Sequence, residues 1–128
     1  MRRVFRLVAG YDPSMTIIYK ICTASEWHAA EGAGVYRGSA VDRRDGFIHF
    51  STAEQAVDTA AKHFAGQRDL LLVSVDAELL GERLKWQPSR GGALFPHLYG
   101  ELELSAVRRI DPLPLDAQGQ PVFPDWES

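Results

Sequence analysis

Gly46-Phe47-Ile48-His49-Phe50-Ser51-Thr52-Ala53-Glu54 passes from strand to helix within a few residues. The apolar Phe47–Phe50 run reads as a short strand. Ser51-x-x-Glu54 then reads as a capping box, in which each side chain satisfies the other's backbone N–H. The helix it opens carries Ala53, Ala56, Val57, Ala60, Ala61 and Phe64 at spacings of three and four, a packing face, and stops at Gly66. Alternation along the strand sends Ile48 and Phe50 one way and Phe47, His49 and Ser51 the other.

Working outward, Asp69–Asp76 is a near-continuous apolar run, the pattern of a buried central strand. Upstream, Thr16–Cys22 is rich in β-branched and aromatic residues and reads as a first strand. Thr23-x-x-Glu26 caps a short helix over 24–30, with Trp27 and Ala30 toward the core. Glu31 to Asp45 holds three glycines and no period and reads as a long loop; loops of that length in a compact domain tend to be lids or binding loops. Downstream, 83–86 reads as a strand and 87–94 as a loop. Alternation over 101–107 suggests one more strand. Four prolines after Ile110 imply an extended tail anchored by Phe123 and Trp126. The expected fold is α+β: a small, split, mostly antiparallel sheet with two helices.

The 128 residues suit one domain over 15–128, with 1–14 as an N-terminal arm, either disordered or the product of an upstream start. The arm's apolar run is broken by Arg6, which argues against a signal peptide. No run approaches the ~20 apolar residues of a membrane span. A net charge of −3 argues against a broad electrostatic grip on nucleic acid. Cys22 is the single cysteine, so no intrachain disulfide forms, and the cytoplasm is the expected location.

No phosphate-binding glycine motif, nucleophile elbow or zinc-finger spacing is present. Chemistry then rests on polar residues set in apolar strands. His49 is either a functional group titrating near neutrality or a structural tie. In Phe95-Pro96-His97-Leu98-Tyr99-Gly100, His97 and Tyr99 share a face and offer a hydrogen-bonding edge beside an aromatic wall. Lys20 interrupts an apolar strand; it either snorkels to solvent or meets an anion in a cleft. Arg43 and Arg44 are either solvated or hold a phosphate. Glu101-x-Glu103 reads as the wet face of a strand rather than a catalytic pair. Cys22 reads as a small buried hydrophobe.

The combination resembles the DUF952 family of small bacterial proteins. The resemblance runs through Ile18-Tyr19-Lys20-Ile21, Glu26-Trp27, Ala29-Ala30, Tyr36, Gly46-Phe47-Ile48-His49-Phe50-Ser51, Gln55 and Phe95-Pro96-His97-Leu98-Tyr99-Gly100, over about residues 16–115. It implies an ADP-ribosyltransferase-like fold, with a split sheet around a cleft for NAD, ADP-ribose or another nucleotide. His49, His97 and Tyr99 are then the candidate catalytic residues, and Lys20, Arg43, Arg44, Ser51 and Phe95 the candidate ligand contacts. In that picture Lys20 and His49 touch ribose or pyrophosphate, Arg43 and Arg44 hold phosphates, and Tyr99 stacks on nicotinamide. Two positions depart from the family pattern: Lys20, where Tyr-His is usual, and Trp86-Gln87, where Trp-Glu is usual. No metal is implied. The competing expectation is a structural or interaction protein in which the histidines only pack.

Overall fold

The computed structural model describes residues 16–124. The expectations for the 1–14 arm and for Trp126 lie outside these residues. The described elements run β1 (Ile17–Thr23), α1 (Ala24–Ala33), β2 (Val35–Tyr36), α2 (Ala40–Asp45), β3 (Ile48–His49), α3 (Ala53–His63), β4 (Leu70–Asp76), β5 (Leu84–Pro88), β6 (Leu94–Leu98), β7 (Leu102–Glu103) and β8 (Val107–Leu113), with short 3-10 turns between some of them. The fold is α+β. No helix among the described residues is long and apolar enough to cross a membrane.

The strands pair antiparallel in three groups, β1-β4-β8, β3-β6-β5 and β2-β7. β4 is the central strand of its group, as its apolar run requires. Pro112, which has no N–H to give a ladder, sits on the edge strand β8. The two larger sheets meet at one bridge: Tyr19 N–H donates to Ser51 O (2.8 Å), and Ser51 N–H donates to Tyr19 O (2.9 Å). Beyond Ser51 the chain turns into α3, so the pairing with β1 ends there and the two sheets diverge.

That bridge also corrects the second capping box. Ser51 spends its backbone groups on Tyr19, and the cap falls one residue later: Thr52 and Gln55 cap α3. The packing face of α3 is narrower than its pattern suggests. Ala56 and Ala60 are buried, but Val57 and Ala61 face solvent.

The reading of 31–45 as a loop is overturned. α1 continues to Ala33 and ends on Gly34, whose φ of +86° forms the left-handed cap. β2 follows, and Ser39 and Asp42 cap α2 as a complete capping box. There are three α-helices among the described residues, not two. The 87–94 loop is shorter than expected, because β5 reaches Pro88 and so includes Gln87. Strand 101–107 is split between β7 and the start of β8 by a 3-10 turn.

The main core lies between the sheets and α1. It includes Ile18, Cys22, Trp27, Tyr36, Ile48, Phe50, Val73, Val75 and Leu98. A smaller cluster of Ile21, Ala60, Leu70, Leu72 and Leu113 packs under α3, with Phe123 against it. Trp27 and Ala30 face the core as their spacing predicts.

Candidate functional site

Where the sheets diverge, a cavity of about 530 Å³ opens. β1 contributes Tyr19, Lys20 and Ile21, α2 contributes Asp42, Arg44 and Asp45, and β3 with the two residues after it contributes His49, Phe50 and Ser51. Phe95 and His97 of β6 and residues of α3 complete the lining.

Alternation makes Lys20 share the face of Ile18 and Cys22, so its side chain enters the protein rather than snorkelling out. It is 5% exposed, and its Nζ donates to Asp42 Oδ2 at 2.7 Å. Asp42 is 2% exposed and collects four donors. Oδ2 accepts from Lys20 Nζ and Ser39 N–H; Oδ1 accepts from His49 Nδ1 at 2.6 Å and from His49 N–H at 3.1 Å. This fills the acceptor capacity of a carboxylate. Burial alone would raise the Asp42 carboxyl. The His49 bond and the Lys20 charge outweigh it and hold the group well below the usual carboxylate range.

His49 has a second carboxylate at its far edge. Its Nε2 lies 3.0 Å from Asp45 Oδ2, while Arg44 Nε donates to Asp45 Oδ1 at 2.9 Å. Both ring nitrogens must carry protons for both contacts to be hydrogen bonds. The Arg44 guanidinium holds the Asp45 carboxyl below its ordinary range.

His49 pairs in register with His97 across β3 and β6, with ring centroids 5.5 Å apart. His97 Nδ1 lies 2.8 Å from Gln87 Oε1, and the Tyr99 hydroxyl donates to the same oxygen at 2.9 Å. A carbonyl oxygen only accepts, so Nδ1 carries the proton and Nε2 is left as the acceptor of a neutral ring. Burial, and then the charge of His49, lower His97 below the ordinary histidine range. Phe47 covers the group: its ring stacks on His97 at 4.1 Å and touches His49 at 4.6 Å and Tyr99 at 5.2 Å.

The expected residues are thus only partly brought together. Lys20, Arg44, His49, Ser51, Phe95 and His97 line the cavity. Tyr99 does not; it is 41% exposed and reaches the group through Gln87. Arg43 is absent from the lining. Ser51 turns its hydroxyl to Thr59 at 3.2 Å and ties the segment after β3 to α3. Asp42 and Asp45 escaped the expectations from sequence, and Gln87 entered them only as a departure from the Trp-Glu pattern. The Ser39-x-x-Asp42 box was a visible signal for the first. The other two act through contacts that no local pattern announces. Among the described residues, no cluster of His, Cys, Asp and Glu could hold a metal ion.

The chain is similar to protein CC0527 from Caulobacter crescentus. The X-ray structure of that protein is 58% identical over 84% of this chain and 94% of its own, with a TM-score of 0.81. Its solution NMR structure gives 59% identity over 84% and 92%, with a TM-score of 0.76. No curated protein matches. The family described as "Protein of unknown function (DUF952)" matches residues 21–110, well over half of the sequence, and the chain belongs to that family.

Proposed function

We propose that the cavity between the two sheets binds a small ligand of the nucleotide class, with His49 and His97 as its principal polar contacts. One observation carries this reading. Two histidines with different hydrogen-bonding roles stand 5.5 Å apart on the wall of a cavity of about 530 Å³, within the size range of small-molecule sites. His49 is tied as a donor to two carboxylates, and His97 keeps a free acceptor nitrogen on a neutral ring. A ligand can therefore offer a hydrogen bond to His97 Nε2, and it receives one from His49 Nε2 where it takes the place of Asp45. Phe50, Phe64 and Phe95 supply apolar wall for a ring. The ADP-ribosyltransferase-like reading adds NAD and ADP-ribose as the first nucleotides to test. Binding is the function proposed; turnover is a separate step.

A specific observation favours the competing structural reading. Lys20, Asp42, Ser39 and His49 form a closed set in which Asp42 is fully satisfied without any ligand. Such a set ties α2 to the sheet, as a structural histidine would.

A thermal-shift series with NAD, ADP-ribose, AMP and adenosine separates the two. At 100 times its dissociation constant, a ligand adds about 2.7 kcal/mol of stability. The expected result is a rise in Tm with at least one of the four, abolished by His97→Ala in a protein that still folds. No rise with any of them leaves the histidines as packing residues.

A further inference from the structure

One ring, His49, stands between two carboxylates of opposite character. Asp42 is buried with four donors and cannot leave without stranding Lys20. Asp45 is the last residue of α2, its side chain is 30% exposed, and it is held by Arg44, whose side chain is 71% exposed. Ion pairs this exposed are weak, because water competes for both partners. Arg44, Asp45 and His49 all line the cavity. Asp45 therefore occupies, with one oxygen on each donor, the place an external oxyanion would take.

We infer that the ligand of this cavity carries a phosphate group that displaces the Asp45 carboxylate and binds between His49 Nε2 and the Arg44 guanidinium. The inference rests on the nucleotide reading of the cavity and names the part of the ligand that the α2 end receives. Charge supports it. Lys20 and Asp42 cancel as a buried pair. With Asp45 swung aside, the Arg44 guanidinium offers a charge and His49 Nε2 a ring N–H to the phosphate oxygens. Glu26, the other carboxylate on the lining, is occupied by the N–H of Thr23 and need not move. No covalent step is involved: one carboxylate leaves two donors, and one phosphate takes them.

Asp45 thus acts as a built-in competitor, and removing it should tighten phosphate binding. The test is an NMR titration of the His49 ring nitrogens with inorganic phosphate at constant ionic strength. It uses the full chain, Asp45→Ala and Arg44→Gln, with AMP and adenosine as parallel ligands. Asp45→Ala is expected to bind phosphate about fivefold more tightly than the parent, the scale of one exposed ion pair, and Arg44→Gln more weakly than the parent. AMP is expected to bind more tightly than adenosine. Unmoved His49 signals under phosphate in both the parent and Asp45→Ala, or no gain in affinity on removing Asp45, would overturn the inference. Equal binding of AMP and adenosine would also overturn it, while leaving the nucleotide reading intact. Phosphate binding without AMP or adenosine binding would support the inference and remove the nucleotide reading.

Discussion

Lys20 Nζ lies 2.7 Å from Asp42 Oδ2, and both side chains are almost wholly shut off from solvent. A buried pair of this kind is costly to break from one side, because the remaining charge stays buried. Asp42→Asn removes the charge that Lys20 needs and should destabilise the fold by about 3–5 kcal/mol in urea unfolding. Lys20→Met should cost less, since Asp42 keeps three of its four donors. A loss below about 1 kcal/mol for Asp42→Asn, the scale of an exposed pair, would show that water reaches Lys20.

The same groups set the response to acid. His97 is held below its ordinary range, so the unfolded chain takes up a proton there before the folded one does. Its contribution is complete above the unfolded value of about 6.5 and fades as pH falls below it. Asp42, also lowered, contributes fully above about 4 and loses stability as pH falls further. Urea midpoints against pH should therefore fall in two stages on the acid side. A flat profile between pH 7 and 5 would contradict the neutral, buried state of His97.

Gln87 meets His97 Nδ1 with an uncharged oxygen, so it adds no charge that would favour protonation of the ring. Placing a carboxylate at that distance favours the charged ring. Gln87→Glu should raise the His97 titration midpoint by about one pH unit or more, followed by NMR of the ring protons. Tyr99→Phe, which removes only the second donor on Gln87 Oε1, should move it far less.

Gly38 sits directly against the buried carboxylate. Its φ is +101°, and an added Cβ would lie 2.7 Å from the Cβ of Asp42. Gly38→Ala should cost roughly 1–3 kcal/mol through backbone strain, and more if Asp42 is pushed off Lys20. Thermal melts of Gly38→Ala beside Gly32→Ala, where an added Cβ meets nothing, make the comparison. Equal melting temperatures would show that the loop before α2 yields freely.

Cys22 is buried, and burial pushes its thiol up to about 12 despite the opposing charge of Lys20. Only the thiolate reacts. The folded protein should resist a thiol reagent at pH 8, and labelling should track urea unfolding. Rapid labelling in the absence of denaturant would contradict this burial.

Much of this site was legible because alternation is a strict rule. It set Phe47 beside His49 and His97 beside Tyr99, and Phe47 touches all three rings. It also set Lys20 on the face of Ile18 and Cys22. The general habit of lysine to snorkel hid that signal, because nothing nearby in sequence announced Asp42. α2 escaped for a different reason: six residues do not complete two turns, so no period can emerge, and only the Ser39/Asp42 cap marks its start. Gln87 was visible as a departure from the Trp-Glu pattern. Its role follows only from the pairing of β5 with β6, which brings it to His97 and Tyr99.

The hydrogen bonds that bridge the two larger sheets use main-chain atoms alone, two N–H groups and two carbonyls of Tyr19 and Ser51. Any residue except proline can supply them. These two hydrogen bonds are therefore independent of the side chains that line the cleft. Exchanging Phe95 or His97 changes the lining without touching the two main-chain hydrogen bonds from which the walls spread. A scaffold of this kind can change its lining one residue at a time while the frame stays shut at the same point.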